Sequence, residues 1–442
     1  MQAEAMGTEV SIGDGESARL APHPLRAAVL GEVHARPFTP LPTPARVLLF
    51  AFQTGADSAQ ADRTALKEFC ERRGLAAPRA SEKHHRVTFG ATTLRWEQHS
   101  EFTTYTWELP VEPGGAPFHP AASSLAMPMG LVKQPGPVLA AIDLHLVESA
   151  APILPERVFD RASLAAAENS DATALYATDF QADPGGFVRI LVIDRGLGAE
   201  RAGALVQRLL ELETYRTFAL LGLPEAQRLS PSIGRIERRL AEVTEEMRMT
   251  MELADNRHLL DELTALAAEL EAGAAGSLYR FGASRAYNEI VHLRLQTIGE
   301  RKVGGLPTWT AFLARRMAPA IRTCATTEER QANLSRKLAR AANLLRTRVD
   351  VALEHQNQDL LKTMNTRTQM QLRLQATVEG LSVAAITYYV VGLFGYVVKG
   401  AHDAGLIHVE TSYATAAFVP FAATAIWWVV RRIRKRHIGS ET

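Results

Sequence analysis

The stretch GLSVAAITYYVVGLFGYVVKG, residues 380–400, carries no charged side chain from Gly380 to Val398, although mean hydropathy over the whole 442-residue chain is close to neutral. As a helix, the 18 residues from Leu381 to Val398 rise about 27 Å, close to the hydrocarbon thickness of a bilayer. A second uncharged run, Thr411 to Val430, covers 20 residues and ends in Trp427 and Trp428, directly before Arg431, Arg432, Arg434, Lys435 and Arg436. Interfacial tryptophan followed by a basic cluster marks the cytoplasmic exit of a membrane helix, which makes Trp427, Trp428, Arg431 and Arg432 candidate membrane-interface anchors. The link between the runs, Lys399 to Glu410, holds one lysine and two acids, Asp403 and Glu410. By the positive-inside rule it lies outside, leaving both chain ends in the cytoplasm. Pro420 is tolerated within a membrane helix. The bland alternative is a buried hairpin in a soluble protein, and two such runs with an asymmetric basic end argue against it.

Lysine plus arginine, 49, nearly equals aspartate plus glutamate, 48, and a balance of +1 argues against a dedicated nucleic-acid binder. The two cysteines, Cys70 and Cys324, lie too far apart in sequence to suggest a disulfide framework or a cysteine zinc site. Residues 1–20 show neither a basic start nor an apolar core, so they read as a flexible tail rather than a secretory signal.

Between Glu328 and Glu379 there is neither proline nor glycine, and alanine, leucine, arginine and glutamine dominate, so a single long helix is expected. Leu338, Val349 and Leu360 are eleven apart, as are Ala342, Leu353 and Met364. That period favours straight or slightly right-handed packing, and a helix of such length calls for partners from other copies of the chain. Nearer the apolar run, uncharged polar residues take over, among them Gln356, Asn365, Gln371 and Gln375. A hydrated funnel and a coiled coil with polar layers both predict this change. On the funnel reading, Gln356, Asn365, Gln371, Gln375, Ser382, Tyr389, Gly392 and Tyr396 are candidate pore-lining positions.

Long helix, first span, short acidic link, second span and basic tail, over Thr326 to His437, resemble the CorA-type magnesium channel superfamily. That resemblance implies an oligomer around a central pore whose outer end carries a Gly-Met-Asn signature. Here the corresponding place reads Leu393-Phe394-Gly395-Tyr396-Val397, with the glycine matched and the methionine and asparagine absent. The chain also resembles a bacterial family of predicted membrane-anchored proteins with a domain of unknown function. His23-Pro24-Leu25-Arg26, Glu32-Val33-His34-Ala35-Arg36-Pro37, Arg280-Phe281-Gly282-Ala283-Ser284-Arg285-Ala286-Tyr287, Arg346-Thr347-Arg348-Val349-Asp350 and Glu379-Gly380-Leu381-Ser382 carry that likeness. It implies a membrane location and no particular activity.

Upstream, a short helix is expected over Pro24 to Ala35, a buried strand over 45–55, and a helix over Asp57 to Arg73. His85 to Pro110 alternates as a three-stranded meander, and further strands fall at Val138 to Val147 and Phe187 to Asp194. Residues 111–137 and 150–178 read as loops or short helices. The fold class expected is an α+β cytoplasmic domain followed by a long-helix stalk and a two-helix transmembrane hairpin of CorA-like architecture. Its boundaries are 1–20 tail, 21–225 α+β domain, 232–325 helical region, 326–379 stalk, 380–398 first span, 399–410 outer loop, 411–430 second span and 431–442 basic tail. Breaks in the helical region are expected near Gly273 to Gly276 and Gly304 to Pro307.

Four constellations carry candidate chemistry. His34 and Arg36 in EVHARP form a basic pair that would hold a phosphate or an acidic partner, against a plain Glu32–Arg36 helix pair. Asp143 and His145 alternate on one strand face and would hold a proton or a metal together, but without a third ligand they read as a surface pair. IDRGLGAERAG, residues 193–203, sets Gly196 and Gly198 between a strand and a helix as a dinucleotide-binding fingerprint would, but without the G-x-G-x-x-G spacing, since the third glycine is Gly203. His84 and His85 point to opposite strand faces and cannot chelate one ion. No Walker loop, nucleophile elbow or zincin motif occurs, so neither a catalytic residue nor a cofactor nor a metal is expected. The expected protein is a non-enzymatic, two-span, homo-oligomeric protein of the bacterial cytoplasmic membrane. Its partners would be lipid, further copies of itself, and a cation or a docking protein.

Overall fold

In the computed structural model the described residues are 23–26, 29–30, 38–80, 82–111, 115–125, 128, 130, 134–149 and 154–438, with side chains described to residue 433. The tail at 1–20, most of the short helix expected at 24–35, and both His34 and Arg36 lie outside them. The chain divides into two compact units, residues 1–241 with 265–338, and residues 242–264 with 339–442.

The first unit is built on strands β1 (Ala45–Gln53), β2 (His84–Phe89), β3 (Thr92–Gln98), β4 (Phe102–Leu109), β5 (Val138–Glu148), β6 (Ala165–Glu168), β7 (Ala174–Thr178), β8 (Val188–Asp194) and β9 (Arg301–Lys302). Among the described residues they form one sheet in the order β2-β3-β4-β1-β5-β8-β7-β6-β9, antiparallel except for the β5–β8 pair. Central β1 is buried from Ala45 to Phe52, as a strand covered on both faces must be. Val47 and Leu49 turn to one core with Ile142, Leu144, Ile190 and Val192. Leu48, Phe50 and Phe52 turn to the other with Trp96, Tyr105 and Trp107.

Helix α1 (Ala56–Arg72) covers the second face with Leu66, Phe69 and Cys70. Its buried Asp62 accepts from Trp96 Nε1 at 2.8 Å and Tyr105 OH at 2.6 Å. Burial still lifts this carboxyl above its ordinary value, against the lowering effect of the two donors. Helix α2 (Ala199–Ala219) covers the first face through Leu205, Val206, Leu209 and Leu212. Trp309, Phe312 and Leu313 of α5 (Trp309–Arg316) complete that core.

Strands β6 and β7 lie in the stretch 150–178 expected to be loops or short helices. Alanine-rich sequence favours helix locally, but Ala165, Ala166 and Ala167 are fully buried in the sheet, where small side chains fit. Helices α3 (Gly222–Met249) and α4 (Leu253–Ile298) follow, and α4 runs unbroken through Gly273 and Gly276. The expected break is absent because a helical glycine costs only about 1 kcal/mol, and Gly273 makes room for Leu229, whose methyl would sit 3.3 Å from an added Cβ. The interruption expected at Gly304 to Pro307 is present between β9 and α5.

Residues 265–338 belong to the first unit because the helices interlock with the sheet. Arg280 of α4 pairs with buried Glu101 at the β3–β4 turn, Nη1 to Oε1 at 3.2 Å. Gly222 lets α3 approach Ser284, whose Oγ would lie 2.5 Å from an added Cβ. Arg285 pairs with Glu328 at 2.6 Å. The RFGASRAY residues therefore act as packing and ion-pair positions.

Helix α6 (Ala318–Asp403) is a single helix of 86 residues that takes in both the expected stalk and the first apolar run. Helix α7 (Thr411–Ile438) contains the second. Both are long and apolar enough to cross a membrane. In the second unit Arg348 donates to the carbonyl of Met247 at 2.5 Å, satisfying the C-terminal turn of α3.

Candidate functional site

Within the second unit α6 and α7 pack through one face each. The rings of Phe394 and Phe418 stack with centroids 3.8 Å apart, and Gly395 brings α6 against Thr415, 3.6 Å from where a Cβ would stand. Val398 and Ala422 are buried beside them. With about 100° per residue, Gln356, Gln371, Gln375, Ser382, Tyr389, Gly392 and Tyr396 fall within an arc of about 100° on α6, roughly opposite this contact. Asn365 lies about 120° from Gln371 and leaves that row. All eight are exposed, and the Ser382 hydroxyl donates back to Val378 O at 2.9 Å. At the far end the guanidiniums of Arg431 and Arg432 lie over Trp427 and Trp428 at 4.8 and 5.1 Å, a geometry suited to an interface.

Asp143 and His145 are buried, at 1% and 4% exposure, rather than forming the surface pair expected from alternation. Strand β5 is central, so both of its faces are covered. Arg46 on neighbouring β1 meets Asp143 with Nε–Oδ1 at 3.0 Å and Nη2–Oδ2 at 2.7 Å, and reaches Pro120 O at 2.9 Å. His145 Nε2 stands 3.2 Å from the Phe118 amide and 3.4 Å from Asp143 Oδ1. One nitrogen cannot accept from the first while donating to the second, and the shorter contact makes it an acceptor, so the ring is neutral with its proton on Nδ1. Burial pushes the imidazole below its ordinary value of 6.5, against the pull of Asp143. For Asp143 burial raises, while the neighbouring His145 and the Arg46 guanidinium lower, with a net lowering. A depressed histidine contributes stability that is complete above pH 6.5 and declines as the solution is acidified below it. The unfolding midpoint of the chain is therefore expected to fall between pH 7 and pH 5, and less steeply in His145→Gln, whose amide oxygen still accepts from Phe118. Equal slopes in thermal unfolding at both pH values would contradict this assignment.

The glycine-rich turn at 193–203 is closed by its own chain. Asp194 Oδ1 accepts from the amides of Gly196 and Leu197, both at 2.8 Å, and Oδ2 accepts from the Thr43 hydroxyl at 2.6 Å. The amides a phosphate would use are already occupied by a carboxylate. His85 bonds Ala76 O at 2.7 Å, and among the described residues no three His, Cys, Asp or Glu side chains gather to hold one ion.

The sheet carries a feature that pattern reading passed over. On the β3–β4 hairpin, Arg95, Glu97, Thr104 and Thr106 share the face that turns toward α2, where leucines would complete an ordinary core. A cavity of about 240 Å³ opens there, lined by Arg95, Glu97 and Thr104, by Phe38 and Phe102, and by Gln207, Glu211 and Tyr215 of α2 and Arg294 of α4. Arg95 donates to Gln207 Oε1 at 2.9 Å, Gln207 to Glu211 at 2.9 Å, and Arg294 to Glu211 at 2.5 Å. The one sequence signal was threonine at alternate positions of FTTYTWEL, where the in-facing residues of a buried strand are usually apolar.

A family model described as "Protein of unknown function (DUF3422)" matches residues 21–437. No curated protein and no solved structure matches the chain.

Proposed function

This chain belongs to the DUF3422 family of proteins of unknown function, and on that premise we propose that it is an integral, two-span protein of the bacterial cytoplasmic membrane. In this reading the α+β unit is a cytoplasmic sensor or docking module without catalytic activity. The observation that carries it is the exposure of apolar side chains on α6 and α7: Leu381 at 73%, Tyr388 at 77%, Val397 at 69% and Phe421 at 70%. A helix buried in a soluble core hides such residues, whereas an apolar surface of this extent is stable when lipid replaces water. The Trp427–Arg432 end, followed by further basic residues, supports a cytoplasmic C-terminus. Two cysteines, both buried, make topology simple to test. A chain carrying Leu406→Cys is expected to react with a membrane-impermeant thiol reagent on intact cells, and one carrying Thr442→Cys only after lysis. Full-length chain is expected to stay with membranes washed in alkaline carbonate, and its release as soluble protein would overturn the assignment.

Self-association belongs to the same proposal. Leu360, Met364, Leu374 and Val378 of α6 are all exposed, and with Arg367 and Gln371 they follow alternating steps of four and three. That spacing is the seam of helices packed side by side, with Arg367 and Gln371 as polar layers. A CorA-like cation conduit is a second reading, favoured by the polar row Gln371, Gln375, Ser382, Tyr389 and Tyr396 facing away from α7. An axial channel requires that orientation. Ion flux in proteoliposomes that falls in Ser382→Leu supports the conduit, and absence of flux for any mono- or divalent cation leaves the sensor alone.

A further inference from the structure

The cavity of the first unit has unsatisfied donors among its lining residues. Thr104 Oγ1 and Arg95 Nε are buried and have no hydrogen-bond partner, and neither has Thr106 Oγ1 next to them, outside the lining. Arg95 Nε stands 3.7 Å from Glu97 Oε2, an ion-pair distance beyond a hydrogen bond. The three groups are neighbours, since Arg95 pairs with Thr106 across the strands and Thr104 lies diagonally beside it on the same face. Thr104 and Thr106 are each only 3% exposed, and a hydroxyl buried without a partner costs about 1–3 kcal/mol unless something completes it.

Charge points the same way. Three guanidiniums, Arg95 and Arg294 in the lining and Arg208 beside it, stand against two carboxylates, Glu97 and Glu211. Arg208 Nε is likewise buried and without a partner. Burial and then the charge of Arg294 lower its proton affinity, against the pull of Glu211. The aromatic part of the lining is Phe102, whose ring is stacked between His99 at 4.1 Å and Phe218 at 4.2 Å, and Phe38, which sits under the Arg208 guanidinium at 4.8 Å. At about 240 Å³ the space is below the roughly 300–1,000 Å³ of drug-sized pockets, so the occupant is small.

We propose that this cavity is a binding site for a small monocarboxylate with a planar apolar body, its carboxylate on Arg95 and Thr104 and its body against Phe38 and the edge of Phe102. The ligand supplies the missing acceptors and the missing negative charge together, and it bridges the β3–β4 hairpin to α2 and α4. This deepens the sensor reading of the α+β unit and rests on it. Binding is measurable on purified chain in detergent whether or not the hairpin spans a membrane.

Benzoate and its neutral isostere benzamide are suitable probes in titration calorimetry of the full chain. Benzoate is expected to bind saturably at one site per chain, with benzamide weaker by about tenfold or more, as the loss of a charge-assisted contact dictates. Arg95→Gln should reduce benzoate affinity about tenfold, and Thr104→Val about threefold. Thr104→Val is close in shape and removes a buried hydroxyl that has no partner, so it should unfold at or above the parental midpoint and remains informative if Arg95→Gln fails to fold. The proposal is overturned if benzoate produces no saturable signal up to about 10 mM, a range that reaches affinities near −3 kcal/mol. It is equally overturned if benzamide binds as well, or if a folded Thr104→Val chain binds unchanged.

Discussion

An Asp143→Leu chain is expected to lose about 3–5 kcal/mol of stability in the first unit, because removing one partner of a buried ion pair leaves the other charge without compensation. Arg46 and Asp143 are among the most deeply buried opposite charges described, with side chains 6% and 1% exposed, and they meet through two N–O contacts. Leucine at 143 removes both acceptors, and Arg46 then keeps only Pro120 O. Buried Trp96 and Trp107 share the sheet with this pair, so tryptophan fluorescence reports its unfolding. The midpoint should drop on the order of 10 °C. A chain carrying both Arg46→Leu and Asp143→Leu should recover most of the loss, since apolar side chains can fill a site that no longer holds a lone charge. A single variant that unfolds within a degree of the parent would show the pair to be dispensable.

Gly203→Ala is expected to be nearly as damaging, by about 2 kcal/mol net. A Cβ at this position would lie 1.9 Å from the carbonyl oxygen of Thr39 and 3.0 Å from its carbon. Both atoms are backbone, and Leu41 is fixed by its amide bond to Ala199 O at 2.9 Å, so the strain moves the segment that leads into β1. Helix propensity works in the opposite direction by about 1 kcal/mol, as alanine is the better helix former. Gly234→Ala in α3 separates the two effects, because nothing stands within 4 Å of its added Cβ and only the propensity gain remains. The two substitutions are chemically identical and should shift the midpoint in opposite directions. If both stabilise, close approach of Thr39 to α2 is not a real constraint. Gly203 thus has a packing role at the place where the sequence offered a distorted nucleotide fingerprint.

Part of this molecule was legible from local pattern. The run at 45–55, the alternation from 85 to 110, and the long stretch from 328 without proline or glycine each fixed an element near its observed position, because hydrophobic period and backbone propensity act within a few residues. Alanine in LAAAENSDATALYAT misled for the converse reason. Its helical preference is small beside the stabilisation of Ala165 to Ala167 and Ala174 to Thr178 paired inside a sheet. The depth of Asp143 was likewise hidden, since alternation gives the face of a strand and says nothing of its place in the sheet order.

What the sequence determined by itself was the pair of apolar helices and the basic end beside them, because transfer of a side chain between water and hydrocarbon depends on that side chain and its near neighbours. What the tertiary structure alone decided was which polar groups meet. Arg95, Thr104, Gln207 and Arg294 come from β3, β4, α2 and α4 and form one cavity only after strand register and helix docking are set. Hydrogen bonds and close charge pairs act over a few ångströms, so no property of those residues read along the chain specifies their meeting.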